Sequence, residues 1–269
     1  LSDLKGENKR SRVAAAYSLA AVCSNSGPKL VGALVSQGII EPLVAMLKSE
    51  DKEERKWAAW TLEKVGYGGD EEVARRLVEA GAVEALVERL DDEDESVRNN
   101  SAWALGQIIA KGQWERVLSA GAVQGLKWCL EVRNPTGATF AFWMLAFKGG
   151  FEVVHLLLDE GVVDKLIFVA SDRTRGARAQ LFALEALAEI VEKGKTGAAH
   201  EFVKRGGLEA VKPLLGSEDT SLREWATWLV EKLGYAGDGW VGRRILGVGL
   251  VEALVERLND NANVANNAA

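Results

Sequence analysis

The stretch that decides the fold is KWAAWTLEKVGY, at residues 56–67. It returns in altered form near the end of the chain as EWATWLVEKLGY, at residues 224–235. The two copies lie 168 residues apart, which equals four units of 42 residues. Self-similarity at a spacing of this size is typical of repeat proteins, in which each repeat is one supersecondary unit. The stretch therefore predicts a repeat array.

Two independent markers recur along the chain. The first is a glycine followed by an apolar segment, and it occurs at Gly38, Gly81, Gly121, Gly161, Gly206 and Gly249. The second is a position in an alanine-rich segment, and it is occupied by Tyr17, Trp60, Trp103, Trp143, Glu185 and Trp228. Successive glycines are 40 to 45 residues apart, and successive marker residues are 40 to 43 apart. Because both markers share a period near 42, we expect residues 1–269 to form a single array of about six repeats.

Each repeat divides into three helical segments. In the repeat centred on Trp103, the pattern predicts a short helix over 70–79, a second over 82–90 and a third over 96–110. Gly81 separates the first two, as glycine does where a helix ends in a left-handed residue. Apolar residues at 83, 86, 87 and 90 recur at helical spacing. Runs of β-branched residues between tight turns are missing, so the predicted fold class is all-α.

This three-helix unit resembles the armadillo repeat. The residues that carry the resemblance are EAGAVEAL at 79–86 and NSAWALGQ at 100–107. The resemblance covers the whole chain and implies a right-handed α-solenoid built from about six armadillo-like units. HEAT repeats are the nearest alternative, but they are normally two-helix units without the glycine-broken first helix. Other α-solenoids are a further alternative.

The two ends of the sequence match parts of a repeat. Residues 1–4 match the end of a second helix, and residues 263–269 parallel the start of a third helix at 96–102. Solenoids need terminal repeats with a polar outer face, and neither end has one. We therefore expect a solenoid that is open at both ends and forms part of a longer array, or one that loses order at both ends.

The composition of the chain argues against some classes of binding partner. The net charge of −6 argues against a protein that tracks a nucleic-acid backbone. No apolar run approaches the length of a membrane span. Two widely separated cysteines exclude a disulfide framework and favour a reducing compartment. We expect a protein or peptide partner rather than nucleic acid or membrane, in the cytoplasm or nucleus, with an organelle as the alternative. The sequence does not determine the oligomeric state.

Helical phase predicts which third-helix side chains are free to bind a partner. In the segment 96–110, one broad apolar face holds Val97, Ser101, Ala102, Leu105, Ile108 and Ile109. Trp103 falls on the opposite face, which lines the concave surface of an α-solenoid. The same phase in the other repeats predicts a partner-binding groove lined by Tyr17, Trp57, Trp60, Lys64, Asn99, Asn100, Trp103, Gln107, Phe140, Trp143, Phe147, Glu185, Glu189, Trp225, Trp228 and Lys232.

The aromatic residues of this groove have two interpretations. Monomeric proteins rarely expose so much contiguous aromatic surface without using it, and tryptophan and tyrosine dominate interface hot spots. The alternative is that the rings pack on neighbouring third helices and complete the core. Glu185, Glu189 and Glu192 similarly form either an acidic patch suited to a lysine or arginine of the ligand, or an ordinary solvated helix face.

The resemblance adds an expectation about the ligand. In the nuclear-import adaptors of the armadillo family, a groove tryptophan stacks on the aliphatic stems of a basic peptide, and an asparagine four residues later holds the peptide backbone. Trp103 with Gln107 is a near match to this pattern. The other groove tryptophans differ, because they are followed at that position by Lys64, Phe147 and Lys232. Because lysine repels a basic cargo, we expect apolar anchors with acidic groups near Lys64 and Lys232.

No constellation of residues indicates catalysis. The two histidines, His155 and His200, lie in predicted first helices, and no nucleotide-binding or metal-ligating motif is present. We therefore expect a non-catalytic protein–protein interaction scaffold with no cofactor and no metal. The alternatives are cargo binding like that of the import adaptors, or a structural subunit of a large assembly. A remote alternative is a helical-repeat lyase acting on a planar pigment.

Overall fold

The computed structural model describes residues 2–255. The chain forms two compact units, Leu1–Val132 and Arg133–Ala269. Within residues 2–255 the regular elements are helices, and no strand is present. The sequence predicts that residues 1–4 end a second helix and that residues 263–269 begin a third helix. Leu1 and residues 256–269 lie outside the described residues.

The first unit contains ten α-helices and one 3₁₀ turn among its described residues. The helices are α1 (Ser2–Lys5), α2 (Lys9–Ser24), α3 (Pro28–Ser36), α4 (Ile40–Leu47), α5 (Lys52–Gly68), α6 (Glu71–Glu79), α7 (Ala82–Glu88), α8 (Glu95–Ala110), α9 (Trp114–Ser119) and α10 (Ala122–Cys129). The 3₁₀ turn at Arg89–Asp91 directly follows α7.

The second unit continues the same pattern. Its described helices are α11 (Thr136–Lys148), α12 (Gly150–Asp159), α13 (Val162–Ser171), α14 (Ala177–Lys204), α15 (Gly207–Val211), α16 (Thr220–Ala236), α17 (Gly239–Val248) and α18 (Leu250–Val255). Short 3₁₀ turns lie at Arg173–Arg175 and Lys212–Gly216. Lys195 breaks α14 with a φ of 54° and a ψ of −145°. The long helix is therefore a third helix followed by the first helix of the next repeat.

The predicted three-helix unit is confirmed over residues 70–110. The first helix begins at Glu71 because Asp70 is its N-cap, with a side chain that accepts from the backbone N–H of Val73. Asp94 caps α8 by accepting from the backbone N–H groups of Ser96 and Val97. All six residues of the predicted packing face of α8 are buried. Helical phase therefore identified the core side of this helix correctly.

The period of the sequence is also a period of backbone conformation. All six marker glycines have a positive φ, between 68° and 82°. Residues with a Cβ rarely adopt this left-handed conformation, so glycine is the residue of lowest cost there. Each glycine lets the chain turn between the first and second helices of a repeat, and between α3 and α4 the bend is 78°.

The third helices pack side by side within each unit. In the first unit α2 packs on α5, and α5 packs on α8. In the second unit α11 packs on α14, and α14 packs on α16. The buried hydroxyl of Thr61 donates to the carbonyl oxygen of Ala16 at 2.9 Å, which ties α5 to α2. Side chains on the opposite face of these helices therefore share one surface within each unit.

A recurring arginine holds the turn that precedes the third helix. It lies five positions before the marker residue, as Arg12, Arg55, Arg98 and Arg223. In each case Nη1 donates to the carbonyl oxygens five and six residues earlier, at 2.6 to 3.1 Å. At the equivalent position of a fifth repeat, the side-chain amide of Gln180 donates to the carbonyl oxygen of Ala170 at 2.7 Å. These side chains satisfy carbonyl groups that the turn would otherwise leave unpaired.

Replacement of Gly68 by alanine should destabilise the first unit. A Cβ at this position would lie 2.6 Å from the carbonyl oxygen of Cys23 and 3.0 Å from a methyl group of Val31. Overpacking of this kind typically costs about 1–3 kcal/mol. The matched control is Gly32→Ala, because a Cβ there would meet no atom within 4 Å. Urea denaturation should show a lower midpoint for Gly68→Ala only, and equal midpoints for the two variants would contradict the close approach.

Candidate functional site

Three rings of the first unit form what we call the first aromatic cluster, which consists of Tyr17, Trp57 and Trp60. Trp57 and Trp60 are three residues apart on α5 and therefore share a helix face. Tyr17 reaches them from α2, at centroid distances of 5.1 Å to Trp57 and 5.9 Å to Trp60. The two tryptophan rings meet edge to face at 5.3 Å. Such mutual contacts hold each ring in one orientation.

The three rings of the first aromatic cluster lie at the surface and differ in exposure. Tyr17 is exposed, and both tryptophans are half-buried. The indole N–H of Trp57 donates to the carboxylate of Glu53 at 3.2 Å. The rings thus pack on one another while keeping part of their surface at the solvent boundary. Both interpretations of the sequence are met in part, because ring packing and accessibility coexist.

The predicted groove residues of α8 differ in accessibility. Asn99, Asn100 and Trp103 are half-buried. Gln107 is buried, which differs from the expectation that it faces the groove. Its Cβ lies 2.9 Å from the position that a Cβ on Gly66 would occupy. The absence of a side chain on Gly66 lets α5 approach closely and cover Gln107.

A second aromatic cluster in the second unit consists of Phe140, Trp143 and Phe182. Trp143 stacks on Phe182 with a centroid distance of 5.5 Å and an interplanar angle of 19°. Phe140 lies 6.0 Å from Trp143 and 5.4 Å from Phe182. Trp143 and Phe182 are half-buried, whereas Phe140 is buried and differs from its predicted place in the groove. Phe140 is covered because it packs against both of the other rings.

The remaining predicted aromatic residues also lie in the second unit. Trp225 and Trp228 of α16 meet edge to face at 4.6 Å, and both are half-buried. Phe147, at the end of α11, is exposed. The ammonium group of Lys193 lies 5.4 Å from the centroid of the Phe147 ring and donates to the carbonyl oxygen of Ala146 at 2.6 Å. This end of α11 is therefore held by α14.

Lys64 and Lys232, which were expected to meet acidic groups of a ligand, already have carboxylate partners. Lys64 Nζ lies 2.8 Å from a carboxylate oxygen of Glu63. Lys232 Nζ lies 3.0 Å from a carboxylate oxygen of Glu192. An acidic ligand would have to share these lysines with the neighbouring glutamates.

The three glutamates of α14 do not form one open acidic patch. Glu192 is paired with Lys232, and Glu189 lies 3.4 Å from Lys193. Glu185 is only 6% exposed, and its Oε2 has no hydrogen-bond partner. Burial, followed by the nearby charge of Glu189, raises the pKa of Glu185 to about 7. Glu185 occupies the marker position that holds an aromatic residue in the other repeats, so a carboxyl group is enclosed where a ring normally lies.

Other chemistry is limited within residues 2–255. No group of histidine, cysteine, aspartate and glutamate side chains there is placed to hold a metal ion. No single described helix is long and apolar enough to cross a membrane, although α3 and α4 meet that test together across a 78° bend. The ring of His155 contacts Phe151 at 4.2 Å, and His200 Nε2 lies 3.1 Å from Asp238.

Comparisons with known proteins identify the fold. Residues 70–110 match the family model for the armadillo/beta-catenin-like repeat. An engineered protein of known crystal structure is 29% identical with a TM-score of 0.88, and the match covers 98% of this chain but 64% of that protein. A second engineered protein is 30% identical with a TM-score of 0.79, over 88% of this chain and 95% of that one. The search of curated proteins found no match.

A designed armadillo-repeat protein, solved in complex with the peptide (KR)4, has the same fold. It is 24% identical with a TM-score of 0.77, over 86% of this chain and 97% of that one. The match at 70–110 identifies one armadillo-like repeat, and the periodic glycines and the likeness to the designed protein show the armadillo-repeat fold. The fold is therefore an all-helical repeat fold.

Proposed function

We propose that this protein is a non-catalytic scaffold that binds an extended peptide or a helix of a partner protein through the third helices. The observation that carries the proposal is the first aromatic cluster, in which three rings share one accessible surface. Rings at such positions supply a large contact area and dominate the binding energy of many interfaces. Apolar side chains of the partner are the anchors that this surface fits.

Ring packing supports the proposal because it pre-organises the surface. Trp57 contacts Tyr17 and Trp60 and donates a hydrogen bond to Glu53, so its orientation is determined before any partner arrives. A pre-organised side chain loses little conformational entropy on binding. The designed armadillo-repeat protein that binds (KR)4 supports the use of this fold for extended peptides.

The second unit offers a comparable surface. Trp143 and Phe182 stack in the second aromatic cluster, and Trp225 meets Trp228 on α16. Because α11, α14 and α16 pack side by side, these rings extend over adjacent third helices. We propose that this surface receives apolar anchors in the same way. Carboxylates of the partner would then lie near Lys64 or Lys232, in competition with Glu63 and Glu192.

Replacement of Trp60 by alanine should weaken peptide binding by about 2 kcal/mol or more, which is roughly 30-fold. The probe is a peptide selected against the intact protein from a random peptide library, with affinity measured by isothermal titration calorimetry. The matched control is Trp128→Ala, because Trp128 is an exposed tryptophan on α10 that contacts Arg98. The control variant should bind the peptide as the unmodified protein does.

Circular dichroism melting of both variants separates lost binding from lost folding. A folded Trp60→Ala variant with unchanged affinity for the selected peptide would contradict the proposed site. An unfolded variant would show that the ring is needed for the core. In that case Tyr17→Ala, which removes the exposed ring of the cluster, takes its place in the affinity measurement.

A further inference from the structure

The two lysines that follow groove tryptophans lie over the faces of those rings. Lys64 Nζ is 5.7 Å from the centroid of Trp60, one turn earlier on α5. Lys232 Nζ is 4.8 Å from the centroid of Trp228, one turn earlier on α16. Both distances lie within the range of a cation–π interaction. The same arrangement therefore occurs in both units, in the repeated stretch with which the period was found.

The side chains of these lysines are largely covered. The side chains of Lys64 and Lys232 are 25% and 18% exposed. Lys9 and Lys204, which also make ion pairs, are 51% and 58% exposed. A lysine stem can cover apolar surface while its ammonium group stays near water. Lys64 and Lys232 thus cover part of the ring surface as well as placing a charge beside it.

Two other predicted groove rings, and Phe182 of the second aromatic cluster, also have a cation of this chain within 6 Å. Lys56 lies 5.6 Å from the centroid of Trp57, and Arg178 lies 5.5 Å from that of Phe182. Lys193 lies 5.4 Å from Phe147. Because a ring face accommodates one such group at close range, these faces are engaged before a ligand arrives.

We propose that Lys64 and Lys232 are specificity-determining residues that occupy the faces of Trp60 and Trp228 and thereby exclude basic peptides. This inference rests on the proposed function, since it specifies which ligands the aromatic surface accepts. An arriving lysine or arginine would have to displace an ammonium group from the ring and would meet a like charge there. Apolar and aromatic side chains meet no such repulsion. The surface therefore selects ligands with neutral anchors.

The glutamates beside these lysines strengthen the exclusion. Glu63 and Glu192 are within 3.0 Å of Lys64 and Lys232 and hold the ammonium groups in place. A basic ligand that approached these glutamates would compete with an intramolecular partner that is already positioned. Removal of the lysine opens the ring face and removes the lysine partner of the neighbouring glutamate, which favours the approach of a cation.

The experiment is a titration of fluorescein-labelled (KR)4 monitored by fluorescence anisotropy. The variant is Lys64→Asn/Lys232→Asn, and the control with the same change of net charge is Lys52→Asn/Lys204→Asn, at two exposed lysines outside the aromatic surface. We expect the first double variant to bind (KR)4 at least about tenfold more tightly than the unmodified protein, which is about 1.4 kcal/mol. The control should gain much less, because it changes only the long-range charge.

A second measurement does not depend on peptide binding. Caesium ions quench tryptophan fluorescence on contact, and their access to Trp60 and Trp228 should rise in Lys64→Asn/Lys232→Asn relative to the control pair. Increased caesium quenching without any (KR)4 binding supports the occupied ring faces and counts against the proposed peptide-binding function. Unchanged quenching overturns the inference. So does equal (KR)4 affinity in the unmodified protein and the variant, or an equal gain in the control pair.

Discussion

Replacement of Arg55 by methionine is expected to lower the stability of the first unit by about 3 kcal/mol. Arg55 and Asp92 form a buried ion pair with side chains that are 7% and 2% exposed. The pair is bidentate, since Nε donates to Oδ2 at 2.7 Å and Nη2 donates to Oδ1 at 3.1 Å. Arg55 also donates to the carbonyl oxygens of Ser49 and Glu50. The variant loses both the charge partner of Asp92 and the hydrogen bonds of the turn.

The size of this effect follows from what remains around Asp92. Loss of one member of a buried ion pair typically costs about 3–5 kcal/mol, because the other charge stays buried without its partner. Asp92 keeps Arg89 at 3.4 Å and a hydrogen bond from the backbone N–H of Asp94 at 3.0 Å. These contacts place the expected loss at the lower end. In a chain of this size it corresponds to a decrease in Tm of roughly 6–12 °C.

A matched control separates burial from charge. Arg75 of α6 forms ion pairs with Glu72 and Glu79, but all three side chains are largely solvent-accessible. Arg75→Met should leave the free energy of unfolding almost unchanged, as is usual for exposed ion pairs. Thermal melting followed by circular dichroism measures both variants. Equal losses in Arg55→Met and Arg75→Met would show that burial of the Arg55–Asp92 pair contributes nothing.

Replacement of Glu185 by glutamine should change how the stability of the second unit depends on pH. Burial and the charge of Glu189 raise the pKa of Glu185 from 4.5 to about 7 in the folded protein. The folded state therefore binds more protons than the unfolded state between these values. The contribution of Glu185 to stability is therefore largest below about pH 4.5, decreases as pH rises through this window, and stays low above pH 7. Glutamine does not titrate, so the variant should lack this decrease.

The expected difference is largest in alkaline solution. A shift of this size corresponds to at most about 3–4 kcal/mol, because each pKa unit is about 1.4 kcal/mol. Glu185→Gln should therefore exceed the unmodified protein in stability by about 2–3 kcal/mol near pH 8, and by little near pH 5. The control is Glu209→Gln at an exposed position of α15. Urea denaturation at a series of pH values tests this, and parallel curves for Glu185→Gln and the unmodified protein would contradict it.

The repeat pattern of the fold could be predicted because it depends on local requirements. Gly81 is needed where φ is positive, and Asp70 and Asp94 are needed where a helix begins. These requirements act within a few residues, so they recur wherever the same local structure recurs. The apolar face of α8 was predictable for a similar reason, since helical phase alone separates its two sides.

The accessibility of the candidate site could not be predicted in the same way. Gln107 and Phe140 share the phase of accessible groove residues, yet both are buried. Gln107 is covered because Gly66 of the adjacent helix has no side chain, and Phe140 is covered by the rings of Trp143 and Phe182. Phase gives the direction of a side chain from its own helix axis, but the size of the residue on the neighbouring helix decides whether solvent reaches it.

The recurrence of the turn arginine is visible in the sequence, but its structural role was not predicted. Arg12, Arg55, Arg98 and Arg223 recur five positions before the marker, and this spacing was open to inspection. The spacing alone does not reveal the role of this arginine, because an arginine near the start of a helix is usually a solvated charge. The hydrogen bonds to carbonyl groups five and six residues earlier identify it as part of the turn.

The sequence by itself determined the armadillo class, the period near 42 residues, the helix boundaries of the repeat at 70–110 and the helix face that carries the aromatic residues. The tertiary structure alone decided that Glu192 pairs with Lys232 and that Glu185 is enclosed. The physical reason is the separation in sequence over which each property is determined. Backbone conformation and helical phase follow from neighbours in sequence, whereas the charge state and accessibility of a side chain depend on atoms that packing brings from about 40 residues away.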